Sequence, residues 1–434
     1  MLFEKIIIDV IKHYYWFLVA IAASLMFGFR DMSSILIVIS VLATFICLGN
    51  YRFRFFDVCV VAYVVYCLFI GLFNSYSFRL FYLGIRSELI PICFYFFART
   101  ERFKNDDFLL NMRKPLLFAM LCGIAFYFTM PSFYLSYKAS ILWNSMNIDA
   151  SSATGHLLYE ISRLSSFWPH SYFIGYASLF VLVLTTKRII IDNAYKKLDS
   201  ICMVVSFFCL FFAQQRVSIA FALLYLVLLT LYAKWHRLEK RYILYAIWIG
   251  AAVLGALIAI VAVMVLGPDF IEYVMNRSIN YEGNMVGDRF ALFEHFLNNL
   301  SLFGDGLGRY GHGAYAEGFS TIPDCDYIRV PAELGFAGFS MLMLICFVSL
   351  VKGFHILKYC FFEVICLSFA LVSMLGAATW ELGTLHPFLY WFCIGHIQSK
   401  FERRNELSEE YSAYIAQERG EGDDEKIEVD CAES

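Results

Sequence analysis

Hydrophobic positions along this chain fall into long unbroken runs rather than alternating with polar ones. Most runs are roughly 18 to 25 residues long, the length an α-helix needs to cross a ~30 Å hydrocarbon core. Backbone groups in lipid must be satisfied within their own segment, so the runs predict helices. The alternation over ~10 residues that marks a membrane barrel is missing. About twelve spans are expected, near 14–29, 33–48, 55–74, 79–98, 115–131, 171–186, 199–214, 216–233, 242–266, 330–351, 359–379 and 384–398.

The charged connectors orient these spans. Arg52 and Arg54 follow the second, and Arg99, Arg102, Lys104, Arg113 and Lys114 follow the fourth. Lys187, Arg188, Lys196 and Lys197 follow the sixth, and Lys234, Arg237, Lys240 and Arg241 the eighth. Lys352 and Lys358 follow the tenth, and Lys400, Arg403 and Arg404 the twelfth. Every even-numbered exit is basic, which places those ends and both termini in the cytoplasm. Two longer outer loops remain, about 132–170 and 267–329. Residues 1–400 therefore read as one membrane domain, and 401–434 as a cytoplasmic, acidic, disordered tail ending in EGDDEKIEVD.

Composition agrees: 60% of the 434 residues are hydrophobic and 16% charged, against about 25% charged in an average soluble domain. A net charge of −3 offers no footprint for nucleic acid. The 13 cysteines lie almost all inside apolar segments and read as small buried hydrophobes, not as a disulfide framework. The first apolar run lacks a small-x-small cleavage site, so no cleavable signal peptide is expected. No internal repeat of the transporter kind is visible.

Candidate chemistry lies on the outer side. An Arg inside a span costs at least ~2.5–3.5 kcal/mol unless it meets a polar cavity or partner. Arg86 sits in LFYLGIRSELIP, about two turns inside the outer end of the fourth span, and Arg216 at the outer hairpin between spans seven and eight. Each is either a headgroup anchor or ion-pair partner, or a phosphate ligand, since guanidinium binds phosphate oxygens bidentately. Glu88 lies two residues from Arg86 and so does not share its helix face. Arg163 precedes the Pro169–His170 break and is either an interfacial anchor or a further phosphate ligand. In the second loop, GDRFALFEHFLNNLSLFG reads as an interfacial amphipathic helix with Phe290, Phe293, Leu297 and Leu300 on one face and Arg289 in its first turn. GDGLGRYGHG follows as a flexible backbone beside a substrate; no strand precedes it, so it is not a dinucleotide fingerprint. His312, Asp324 and Asp326 are the candidate proton acceptors. Two Asp without further ligands are a weak metal signal, and neither metal nor cofactor is expected.

The chain resembles the O-antigen ligase and polymerase superfamily of bacterial surface polysaccharide assembly. The resemblance rests on LGIRSELIP, RLSSFWPHSY, QQRVSIAFALL, and the order DRFALFEHF, GDGLG, DYIRVPAELGFAGF, with Glu333, Gly335 and Gly338 in the Glu-x-Gly-x-x-Gly start of a span. Gln replaces the usual small residue in the third motif. Asp324–Cys325 stands where ligases carry a His-Asn pair, which favours repeat-unit polymerases of the Wzy type. The resemblance implies an all-α, polytopic, GT-C-like helix bundle in the bacterial inner membrane. It further implies a metal-independent glycosyltransferase acting on undecaprenyl-diphosphate-linked oligosaccharide within membrane lipid. Arg86, Arg163, Arg216 and Arg289 would then stabilise the leaving diphosphate, and His312, Asp324 or Asp326 would take the acceptor proton. A chain-length regulator and a flippase are the implied partners. The rival readings are an O-antigen ligase, a flippase for lipid-linked oligosaccharide, and a non-enzymatic membrane scaffold.

Overall fold

The computed structural model describes residues 53–99, 107–146, 161, 163–168, 171–238, 241–250, 294, 301–311, 314, 325–375, 380 and 385–405. Among these residues the protein is helical, and six helices are long and apolar enough to cross a membrane: Phe55–Asn74, Phe78–Ala98, Met112–Thr129, Ser171–Ile191, Arg216–Trp235 and Asp326–His355. In chain order, α1 is Phe55–Asn74 and α2 Phe78–Gly84; α2 continues through a π-turn and a 3-10 turn into α3, Cys93–Ala98. α4 is Asp107–Thr129, α5 Ser132–Met146, α6 Ser171–Thr186, α7 Lys197–Phe212 and α8 Arg216–Trp235. α9 is Asp326–His355, α10 Leu357–Ser373 and α11 Leu385–Glu402.

Three boundaries depart from the sequence reading. The fourth helix begins at Asp107 and runs through Pro115, where the apolar run starts. The first outer loop is not all loop, because Ser132–Met146 is helical. The tenth predicted span begins at Asp326, four residues early, so Asp326 sits inside the helix and not before it. At α4 and α9 polar residues extend a helix beyond the apolar stretch that marks it, whereas α5 is a separate helix. The predicted helix over GDRFALFEHFLNNLSLFG and most of the acidic tail lie outside the described residues.

The bundle has two groups of helices. α6 packs against α4, α7, α8 and α10, while α11 packs against α3, α9 and α10. α6 is the centre, with 89% of its membrane window buried inside the protein. Gly395 of α11 lies against the Tyr95 carbonyl and Ala98 of α3, a small-residue contact that lets the two backbones approach. The outward faces stay apolar. Val58, Val61, Val65, Phe69 and Leu72 line α1, and Leu344, Phe347, Val351 and Phe354 line α9, all exposed at helical spacing. A soluble monomer rarely exposes apolar stripes of this length, and hydrocarbon is the solvent that suits them.

One end of the bundle is laced by buried ion pairs. Asp57 accepts the Arg54 backbone N–H at the start of α1 (2.7 Å) and pairs with Arg99 (3.0 Å), which also reaches Glu402 (2.7 Å). Asp199 does the same for α7, accepting from the Lys196 backbone (2.7 Å) and pairing with Arg113 (2.7 Å). Lys400 pairs with Glu363 at 2.9 Å. These arginines and lysines belong to the basic connectors, so this end is the one the charge rule assigns to the cytoplasm.

Candidate functional site

The opposite end carries the polar candidates, and two helix breaks build it. The first interrupts the α2–α3 span. Pro91 has no N–H to give and its ring crowds the carbonyl one turn back, so Ile85–Leu89 relaxes into a π-turn and Ile90–Ile92 into a 3-10 turn. The wider turn places Glu88 inward, 9% exposed. The second break is at Gly335 in α9, where φ 70° and ψ 175° leave the helix altogether. α9 is therefore a short outer helix of nine residues, 326–334, joined through one extended glycine to the apolar span that follows.

The glycine-rich segment 301–311 repairs that second break. Phe336 and Ala337 donate their freed N–H groups to the carbonyls of Ser301 (3.1 Å) and Leu302 (3.2 Å). In return Asp305 and Gly306 donate to the carbonyls of Ala332 (2.8 Å) and Glu333 (3.0 Å). Irregular backbone at this depth persists only where such partners exist. Gly304, at φ 68°, faces Gly335; a Cβ on either would strike the other's backbone. Asn74 at the end of α1 donates to the Gly304 carbonyl (2.9 Å), and Gly84 of α2 packs directly on Leu307 and Gly308.

Arg329 is the centre of this arrangement and is fully buried. Its Nε donates to Asp326 Oδ1 (2.8 Å), and its Nη1 to Glu88 Oε1 (2.6 Å) and Glu333 Oε2 (2.8 Å). The other oxygens are also used. Asp326 Oδ2 accepts the Trp380 backbone N–H (2.8 Å), and Glu333 Oε1 accepts that of Tyr310 (2.7 Å). One guanidinium thus joins the broken α2–α3 span, the α9 outer helix, the glycine-rich loop and the segment before α11. A planar donor fork suits this work, since it serves several carboxylates in fixed geometry.

Above the network opens a cleft of 480 Å³ lined by Asn74, Tyr76, Gly304, Asp305, Arg309 and Tyr310. Arg309 lies over the rings of Tyr76 (5.4 Å) and Tyr310 (5.1 Å), within cation–π reach. The Tyr310 hydroxyl donates to Asp305. Burial first, then this bond to Asp305, pushes the Tyr310 phenol up to about 12, with Arg309 working the other way.

The expected phosphate ligands fall in two places. Arg86 is half-buried in the π-turn, two residues from Glu88. Arg163 and Arg216 belong to the other group of helices. The 163–168 segment is tied to the end of α7 by Leu164 N–H to the Phe212 carbonyl (3.0 Å), and Arg216, exposed, opens α8 four residues on. α5 holds the same segment: Tyr134 and Tyr137 donate to the carbonyls of Ser166 and Phe167 (3.0 Å each), and Lys138 to that of Trp168. Arg289, His312 and Asp324 lie outside the described residues. Asp326 is described, fully buried with both oxygens engaged, which fits a residue that holds the helix and not one that meets substrate.

Sequence reasoning did not select Arg329, Glu333 or Glu88 as site residues. The signal was present for two of them. Asp326, Arg329 and Glu333 follow at i, i+3 and i+7, one face of a helix. Glu88 had no such signal, because its partner lies 241 residues away. No known protein family and no curated protein matches the chain.

Proposed function

We propose that the protein is a glycosyltransferase that polymerises polyprenyl-diphosphate-linked oligosaccharide repeat units at the outer face of the bacterial inner membrane. The observation that carries this reading is the outer end of the bundle. A broken apolar helix, stitched by a glycine-rich loop and a buried arginine, underlies an open polar cleft. Irregular backbone beside a polar cavity is where membrane proteins handle polar substrates. Of the motifs that carry the resemblance, LGIRSELIP, GDGLG and DYIRVPAELGFAGF belong to these elements, while the twelve spans rest on the hydrophobic runs and the GT-C-like bundle on the resemblance.

In this reaction the non-reducing-end hydroxyl of one lipid-linked repeat attacks the anomeric carbon of another chain. The new C–O bond forms as the bond to the diphosphate breaks. The leaving polyprenyl diphosphate keeps the electron pair, and the hydroxyl proton passes to a base. Arg86, Arg163, Arg216 and Arg289 are the proposed ligands of the diphosphate. His312 or Asp324 takes the proton, while Asp326, held by Arg329 and Trp380, positions the helix behind them. A chain-length regulator and a flippase that supplies the substrate are the proposed partners.

The test is the surface polysaccharide of cells lacking the protein, separated on a gel. Loss of a polymerase leaves a single repeat unit on the final acceptor. Long chains held on the polyprenyl carrier would mean a ligase instead, and absence of both would mean a flippase.

A further inference from the structure

We infer that the cleft formed by Asn74, Tyr76, Gly304, Asp305, Arg309 and Tyr310 is a subsite for an uncharged pyranose ring of the acceptor glycan; this rests on the glycosyltransferase reading. The cleft has the parts that such a ring needs. A sugar offers a C–H face that packs on an aromatic ring and a rim of hydroxyls that both donate and accept hydrogen bonds. Tyr76 supplies the ring, 73% exposed at the mouth. Asp305 is an exposed acceptor, Asn74 an amide at the rim, and Arg309 a planar cation laid along the Tyr76 and Tyr310 rings. Few and fixed polar groups around an aromatic surface are what orient a small ligand.

Charge decides between the two halves of a lipid-linked substrate. A diphosphate in this cleft would meet the Asp305 carboxylate at the wall and Glu333 directly behind Tyr310. The exposed Asp305 carboxylate and a diphosphate are like charges that repel at this range, which offsets the attraction of the single Arg309 cation in the lining. An uncharged sugar pays no such penalty and uses Asp305 as an acceptor. The cleft is also wired to the interior. Tyr310 binds Glu333 through its backbone, and Glu333 binds Arg329, so a ring seated on the cleft wall presses on the network that sets the α9 outer helix. Tyr76 follows α1 by two residues, at the outer end of the bundle, where a glycan head would stand above the lipid.

The experiment uses the full chain in lipid nanodiscs and, as probe, the phosphate-free oligosaccharide repeat released by mild acid from its polyprenyl diphosphate carrier. Saturation-transfer NMR reads its ring protons, with inorganic diphosphate as competitor. Wild type is expected to transfer saturation to the sugar, diphosphate to leave the signal intact, and Tyr76→Ala and Asp305→Asn each to weaken binding about tenfold, the worth of one good contact. Tyr76 is largely exposed, so its variant removes no core packing and keeps the test open if Asp305→Asn fails to fold. Equal binding by wild type and Tyr76→Ala, no binding by wild type, or displacement by diphosphate would overturn the inference. The polysaccharide gel separates the two readings: a single-repeat phenotype with normal Tyr76→Ala binding sinks only the cleft, whereas a normal ladder without the protein sinks the polymerase.

Discussion

Arg329 and Glu88 meet at 2.6 Å across 241 residues of sequence. The contact joins two helices that are each broken near it, at Pro91 and at Gly335. Each break alone would leave backbone groups exposed in an apolar setting. Together with the 301–311 segment they form a closed polar unit at the outer end.

Arg329→Met should destabilise the protein by about 3–5 kcal/mol, because it strands three carboxylates in a buried place. Arg329→Lys should recover only part of this, since one ammonium lacks the fork that serves Asp326, Glu88 and Glu333 together. Thermal unfolding of purified protein in detergent measures both. A Met variant as stable as wild type would mean that the network does not hold the outer end.

Gly335→Ala tests the stitch between loop and helix. At φ 70° a Cβ is strained, and here it would also strike the Leu302 carbonyl and the Gly304 amide. Such backbone strain costs roughly 1–3 kcal/mol, and the collision adds to it. Hydrogen exchange should quicken at the Asp305 and Gly306 amides, which donate across the break. Unchanged protection there would show that the loop does not depend on Gly335.

Much of the fold was legible because apolar runs and helices coincide. Phe55–Asn74 and Ser171–Thr186 begin and end where hydropathy places them. Hydropathy fails where a helix continues in polar residues, as at Asp107 and Asp326, because backbone hydrogen bonding does not stop at the lipid boundary. The site was half legible. GDGLGRYGHG and the Glu-x-Gly-x-x-Gly stretch stood out as oddities in an apolar chain, and residues 304–310 pack on 332–335. That Arg329 carries buried ion pairs could not be read, since its contact with Glu88 depends on which way a π-turn rotates that carboxylate. The side-chain network of α5, with Lys138 reaching the Trp168 carbonyl, was equally hidden in what reads as a loop.

The basic connectors predict the sidedness. Phe303, 55% exposed in the glycine-rich segment, should react with an impermeant thiol reagent in intact cells when replaced by Cys. Lys197→Cys, in a basic connector, should react only after the membrane is opened. The eleven described native cysteines are buried or half-buried, so their background is low. Equal labelling of both variants in intact cells would overturn the orientation.

Burial of the Tyr310 phenol and then its bond to Asp305 set a pH window. The folded phenol is raised from the ordinary 10.0 to about 12, so the neutral form is the one that folding favours. Its stabilisation is fully present below the unfolded value and is lost as pH climbs from about 10 towards about 12. The melting difference between wild type and Tyr310→Phe should therefore stay constant from about pH 6 to about pH 9 and shrink above about pH 10. A difference that varies across the neutral range would show that another group controls the cleft.

The most direct measurement is reconstitution. The purified full chain in nanodiscs would be given lipid-linked single repeat units and no other enzyme, and its products separated by length. The account predicts a ladder of lengthened polyprenyl-linked chains with free polyprenyl diphosphate released in step. Arg216→Lys should slow it by losing a bidentate phosphate contact. Repeat units that stay single, while the same preparation remains folded and binds them, would contradict the polymerase reading.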